Sequence, residues 1–244
     1  MKYFPNNTIT HYTTKLSTPI ILDSIAKWEV GLAEFQYPRT WNNIPENKNT
    51  FHILTSVKPL ARGPKQIYKW ELCTIPIKNY NTISDLVDEI NDAIHTVSQD
   101  DKFRATYDES TKRITFNVPE KHAINFSKPL THMLGYRQDR VVLQLCETAP
   151  FQTDLDGYYH DLYIYSDVIT YQLVGDVSTP LLRVVATEGV EGVTIRKSFE
   201  NIHYFPVSKS TFETVEIDIR TDTGDPVPFE KGRVDAVLHF KRKH

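Results

Sequence analysis

The triplet Asp222-Thr223-Gly224 has the form of the aspartic-protease word. That chemistry needs the Asp in a buried loop after an apolar strand, where it shares one proton with a twin carboxyl. Here Arg220-Thr221 precede the triplet and Asp225-Pro226 follow it. The chain holds no second copy, so only a homodimer could supply the twin. Polar surroundings of this kind favour a turn between two strands. Asp154-Leu155-Asp156-Gly157 could open a calcium loop, yet the EF-hand pattern then requires Gly and Glu where Tyr159 and Tyr165 stand. An irregular Ca²⁺ site on a β-sandwich loop would not need that spacing. His160-Asp161 could be half of a base and its orienter, and Cys73 or Cys146 a nucleophile beside a base that spacing does not place. Nine His show no HExxH or other tight zinc spacing, there is no GxSxG elbow, and none of the nine Gly forms a phosphate-binding loop. The expectation is a protein that is not an enzyme, with no catalytic, cofactor-binding or metal-ligating residues assigned.

Two further features could bind a partner. Lys241-Arg242-Lys243-His244 is either a solvated, frayed end or a tether for an acidic partner or nucleic acid. Tyr158-Tyr159, next to Gly157, is either core or an exposed contact patch on which a glycan could stack.

Composition narrows the field. The chain has 244 residues, 24% charged and 40% hydrophobic, with a net charge of −3, the range of a globular protein. A pI near 6.3 gives no electrostatic footprint for wrapping nucleic acid, which needs clustered Lys and Arg. The longest aliphatic run is Ile20-Ile21-Leu22, far short of the ~20 residues that cross a bilayer. The first twenty residues lack a basic n-region and an apolar h-region, so no signal peptide is expected. Two cysteines cannot form a disulfide framework or a Cys-rich metal site. Thirteen Tyr and twelve Phe against two Met, with fourteen Pro, describe many strands and turns rather than packed helices.

The elements follow from periodicity. Strands are expected at Thr8 to Leu16, Trp28 to Tyr37, Phe51 to Val57 and Gln66 to Ile75. Within the second, Trp28, Val30 and Leu32 share a face while Phe35 and Tyr37 fall on the other, which predicts a bulge near Ala33-Glu34 or a strand covered on both faces. Thr82-Ile83-Ser84-Asp85 reads as a capping box, and Ile83, Leu86, Val87, Ile90, Ile94 and Val97 follow at helical spacing. Phe103 to Tyr107 and Arg113 to Val118 read as a hairpin around Asp108 to Lys112. Ser127-Lys128-Pro129 reads as an N-cap and first turn of a short helix to Leu134, closed by Gly135. Four strands return later: Leu162 to Tyr171, expected between two layers, Pro180 to Ala186, Thr214 to Ile219 and Val234 to Phe240. The fold class is therefore mainly β, a single jelly roll (eight-stranded β-sandwich) formed by residues 1–76 and 147–244, with a small α+β insertion at residues 77–146.

Several long words in the sequence carry a family resemblance. They are Phe4-Pro5-Asn6-Asn7-Thr8, Lys27-Trp28-Glu29-Val30-Gly31-Leu32-Ala33-Glu34-Phe35-Gln36-Tyr37-Pro38, Trp41-Asn42-Asn43-Ile44 and Asp176 to Val185. Leu130-Thr131-His132-Met133-Leu134-Gly135-Tyr136 and Ile217-Asp218-Ile219-Arg220-Thr221-Asp222-Thr223-Gly224-Asp225-Pro226-Val227-Pro228-Phe229 complete the set. In these words the chain resembles the penton, or minor capsid, proteins of Polinton (Maverick) elements and the related adintoviruses. The resemblance implies a single jelly roll that assembles five-fold at capsid vertices, beside a double jelly-roll major capsid protein. It implies a virion location, no catalytic residues and no cofactor, and it recasts Asp222-Thr223-Gly224 as a family word in a strand-to-strand turn. Residues 77–146 would then form the outward-facing or receptor-facing part. Two other readings stand beside this one: a jelly-roll carbohydrate- or receptor-binding module using Tyr158 and Tyr159, and a hydrolase using Asp222 or a Cys–His pair.

Overall fold

The computed structural model describes residues 4–23, 25–46, 48–57, 67–127, 130–136, 140–157 and 159–243. In chain order the elements are β1 (His11–Ile21), β2 (Trp28–Pro38), β3 (Thr50–Val57), β4 (Ile67–Thr74), α1 (Ile83–Ser98), β5 (Arg104–Asp108), β6 (Arg113–Asn117), β7 (Ala123–Ser127), α2 (Leu130–Met133), β8 (Arg140–Leu143) and β9 (Cys146–Thr148). There follow β10 (Asp161–Ser166), β11 (Gln172–Val174), β12 (Val177–Thr179), β13 (Leu181–Ala186), β14 (Thr194–Ser198), β15 (Phe205–Pro206), β16 (Thr211–Arg220) and β17 (Asp235–Arg242). The chain divides into two compact units, Met1–Trp41 with Tyr158–His244, and Asn42–Gly157.

The first unit is an eight-stranded sandwich, the single jelly roll that the alternating patterns predict. One sheet has the order β1-β16-β10-β13. In the other, β2 is central, with β17 along one edge and β14 then β15 along the opposite edge. Val30, Leu32, Phe35 and Tyr37 of β2 pack into one core with Leu162, Ile164, Ile217 and Ile219 of the facing sheet. All eight are nearly or fully buried.

Strand β2 shows how the sequence reaches that core. Val237 of β17 pairs with Glu34 while the next residue, Leu238, pairs with Leu32, so Ala33 is the extra residue of a bulge. The bulge shifts the phase of the strand by one, which brings Phe35 and Tyr37 back to the face that Val30 and Leu32 already occupy. The Ala33 carbonyl accepts the Phe199 N–H at 2.9 Å, so the bulge leaves it paired.

The second unit holds a four-stranded sheet β4-β3-β7-β8, a three-stranded sheet β5-β6-β9 and both helices. Helix α1 starts as its sequence predicts, with Thr82 Oγ1 accepting the Asp85 N–H at 3.1 Å. It buries Ile83, Leu86, Val87, Ile90 and Ile94, and ends at Gln99 in the left-handed region. In the β5–β6 turn the Asp108 carboxylate accepts Ser110 N–H (2.9 Å), Ser110 O–H (2.6 Å) and Thr111 O–H (2.9 Å). Those bonds hold its pKa below the ordinary carboxylate value.

The observed boundaries differ from those expected at residues 76/77 and 146/147. Strands β3 and β4 pair with each other and β3 pairs with β7, so residues 42–76 belong to the second unit rather than to the jelly roll. Residues 147–157 belong there too, because β9 (Cys146–Thr148) pairs with β6. Strands β14 and β15 take the two vacant places in the sandwich. A further difference lies at β10, which ends at Ser166 and is buried on one face only. Its Tyr163 and Tyr165 stand half-buried on the outer face. For the short helix, Lys128 and Pro129 lie outside the described residues, and Gly135 closes the last turn at φ +88°.

Candidate functional site

The residues with possible chemistry resolve into turns and core. Asp222-Thr223-Gly224 is an exposed turn after β16. Gly224 N–H donates to the Thr221 carbonyl (3.0 Å), Thr221 N–H to the Asp225 carbonyl (2.9 Å) and Thr223 O–H to the Asp225 carboxylate (3.2 Å). Arg220 closes it by donating to the Gly224 carbonyl (2.8 Å) and to Asp218 (2.7 Å). An Asp in water on such a turn has no low-dielectric pocket in which to hold a shared proton. Asp154 Oδ1 accepts the N–H groups of Asp156 (3.1 Å) and Gly157 (3.3 Å), a turn braced by its own carboxylate. His160 is exposed just before β10, and its carbonyl accepts Thr187 N–H at 2.8 Å.

Cys73 is 1% exposed, and burial, with Glu71 adding to it, pushes its thiol up to about 12. A thiol held protonated in this way is a poor nucleophile. Cys146 is exposed and unpaired with any disulfide partner. Tyr159 is not a surface platform: it is buried against Trp41 at 6.0 Å between ring centroids, and burial raises its phenol to about 12. Tyr158 lies outside the described residues. Nor is the basic end a loose tether. Strand β17 runs to Arg242, Lys241 and Lys243 pair with Glu29 (3.9 and 3.2 Å), and Arg242 pairs with Asp23 (3.5 Å). His244 lies outside the described residues.

The long sequence words are structural devices. Asn7 donates to the Thr13 carbonyl (2.8 Å) and accepts its N–H (3.0 Å), acting as an extra strand residue beside β1. Gly31 sits where an added Cβ would lie 2.3 Å from the His203 carbonyl oxygen, so a side chain there collides with backbone. Trp41 is wrapped by Tyr37, Tyr159 and Phe229, with the Arg39 guanidinium 4.3 Å above its ring. In the second unit Asn43 clasps Tyr80, donating to its carbonyl and accepting its N–H, both at 2.9 Å. Leu130, Thr131, Met133, Leu134 and Tyr136 all lie in or against that unit's core.

What the jelly-roll unit offers a partner is its outer surface. A groove of about 840 Å³ lies over β10 and β16, with Tyr171, Thr179 and Pro180 at the base of the β11–β12 hairpin along it. Asp167, Glu216, Asp218, Lys209 and Arg220 line it together with Tyr165 and Tyr171. The charges are arranged in pairs: Lys209 reaches Asp167 at 3.1 Å, and His11 lies 3.6 Å from both Glu216 and Asp218. Asp167 also accepts the Glu216 N–H at 2.8 Å, which fixes the loop after β10 against β16. Pairs this exposed add little stability. Large apolar side chains stand exposed on the hairpin, Tyr171, Leu173 and Val177, and elsewhere on the unit Ile21, Ile25 and Val190 are exposed too. The signal for this surface lay in the sequence as apolar residues inside polar turns, which periodicity does not register.

No protein-family model matches the chain, and no curated protein does. Among solved structures the chain is similar to the selenomethionine-labelled mavirus penton protein, at 12% identity and a TM-score of 0.52. The match covers 96% of this chain and 91% of that one, so it takes in both units. The chain thus has the fold of a viral penton protein, a single jelly roll carrying an α+β unit within it.

Proposed function

We propose that this chain is a structural capsid protein whose copies form the five-fold vertices of an icosahedral particle. The observation that supports this reading best is the likeness of fold to the mavirus penton protein, which runs the length of both chains. The words that resemble Polinton and adintovirus pentons add to it, and so does their conversion into turns, clasps and core contacts rather than reactive groups. A vertex protein needs surfaces that recur around a rotation axis, and five copies joined head to tail close into a ring. Its partners are other copies of itself and a double jelly-roll major capsid protein, and its place is the virion. The role requires no catalytic residue, cofactor or specific nucleic-acid contact. Among the described residues no helix is long and apolar enough to cross a membrane. The competing glycan-binding reading loses Tyr159, which is in the core.

Co-expression with the double jelly-roll protein from the same source, followed by imaging of the particles, tests the proposal. Density of this chain's size is expected at every five-fold vertex. Particles that close their vertices while the chain stays in the soluble fraction would contradict it.

A further inference from the structure

The groove over β10 and β16 joins three features that seldom meet on a bland sheet face: concavity, a fixed polar network and an exposed aromatic ring. His11 of β1, Asp218 of β16 and Tyr165 of β10 lie directly opposite one another across three strands. The polar groups around this row are held in place by one another. Lys209 reaches Asp167 at 3.1 Å, and Asp167 also accepts the Glu216 N–H at 2.8 Å. Arg220 donates to Asp218 at 2.7 Å and to the Gly224 carbonyl at 2.8 Å. Tyr171 is 71% exposed, yet the residues on either side of it are anchored. Thr170 N–H donates to the Pro206 carbonyl (3.0 Å), and the Gln172 amide donates to the Leu181 carbonyl. A ring presented on a fixed backbone loses little freedom when a ligand covers it.

The network selects the ligand class. Three carboxylates (Asp167, Glu216, Asp218) stand against two cations (Lys209, Arg220), and all five are already paired. An anion therefore meets a lining of net negative charge, and a cation competes with Lys209 and Arg220. Pairing does not exhaust hydrogen bonding, however. A carboxylate offers about four lone-pair sites, an ammonium three donors and a guanidinium five. A hydroxyl group donates and accepts, so a ligand rich in hydroxyls engages carboxylates and cations together and brings no charge to desolvate. An aromatic wall asks in addition for an apolar face on the same ligand. A pyranose sugar has both, hydroxyls around its rim and C–H groups on its face. The groove's volume of about 840 Å³ lies within the roughly 300–1,000 Å³ of small-ligand sites.

We propose that this groove is a binding site for a neutral oligosaccharide, with one pyranose ring stacked on Tyr171 and its hydroxyls bonded by Glu216, Asp218 and Lys209. The site uses neither Tyr158 nor Tyr159. It goes beyond the vertex reading and does not depend on it, because a capsid protein and a free module bind a sugar by the same contacts.

The test applies the full chain to an array of immobilised neutral, sialylated and sulfated oligosaccharides, then measures the strongest neutral binder by calorimetry. Selective binding among the neutral glycans is expected, with an affinity that stays the same between about 0.1 and 0.5 M salt. Tyr171→Ala should weaken it about fivefold or more, while Tyr171→Phe keeps the ring and stays near wild type. Glu216→Gln should also cost about fivefold or more. Leu173→Ala, exposed on the same hairpin but outside the groove lining, should bind as wild type does. All four variants should leave thermal unfolding unchanged. The same glycan carried on a peptide and on a lipid in phosphatidylcholine vesicles should bind alike, since the sugar alone is recognised. The proposal is overturned by no neutral binder, by binding confined to sialylated or sulfated glycans, or by capture on glycan-free vesicles. Undiminished binding by Tyr171→Ala and Glu216→Gln would overturn it too. A chain that assembles five-fold yet binds no glycan removes this site and leaves the vertex reading standing; a glycan-binding chain that never assembles does the reverse.

Discussion

At the scale of single residues, asparagine does much of the local wiring. Asn7, Asn43 and Asn91 each present one donor and one acceptor to a single backbone residue, the geometry of a short strand pair. Asn91 of α1 donates to the Ala105 carbonyl (3.0 Å) and accepts its N–H (2.7 Å), so it pins the helix to β5. Removing it strands two backbone groups at a residue only 2% exposed. Asn91→Ala should therefore cost about 1–3 kcal/mol in urea unfolding. A loss below about 0.5 kcal/mol, the range of an ordinary surface substitution, would show that water replaces the clasp. These clasps were not legible in the sequence, because an amide that bonds to backbone far along the chain leaves no spacing pattern. The Asp222 turn was legible, since its neighbours are the residues that turns demand. Tyr159 was legible as core or contact patch, and its packing against Trp41 decides for the core.

At the scale of elements, alternation carried more information. The slip between Leu32 and Phe35 pointed to a bulge, and the β2–β17 register places it at Ala33. The helix from Ile83 and the hairpin around Asp108 follow the pattern of their residues closely. Strand pairing was harder. Phe51 to Val57 looks like a jelly-roll strand, yet a strand's alternation says which face is buried and not which neighbour it takes. Strand β14 escaped because Thr194–Ser198 is short and polar, and β15 because it has two residues. Gly31 tests the packing of β2 directly. A Cβ there meets the backbone oxygen of His203 at 2.3 Å, which cannot move as a flexible side chain would. Gly31→Ala is expected to lower stability by about 1–3 kcal/mol, the range of overpacked sites. Unchanged thermal unfolding would mean that segment 202–203 yields freely and does not brace the sheet.

At the scale of the whole molecule, the mainly β class was readable from composition and alternation, and the units were readable only in part. The inserted unit spans residues 42–157 rather than 77–146, because β3 and β4 joined its sheet. The vertex role depends on something no single fold reveals, the ability of copies to meet around an axis. Solution mass by light scattering, across protein concentration and with the major capsid protein added, tests it most directly. A vertex protein of 28.2 kDa gives a species of five times that mass, 141 kDa, alone or in partner-induced assemblies with five-fold symmetry. A strict 28.2 kDa monomer that ignores the partner at every concentration would contradict the capsid role.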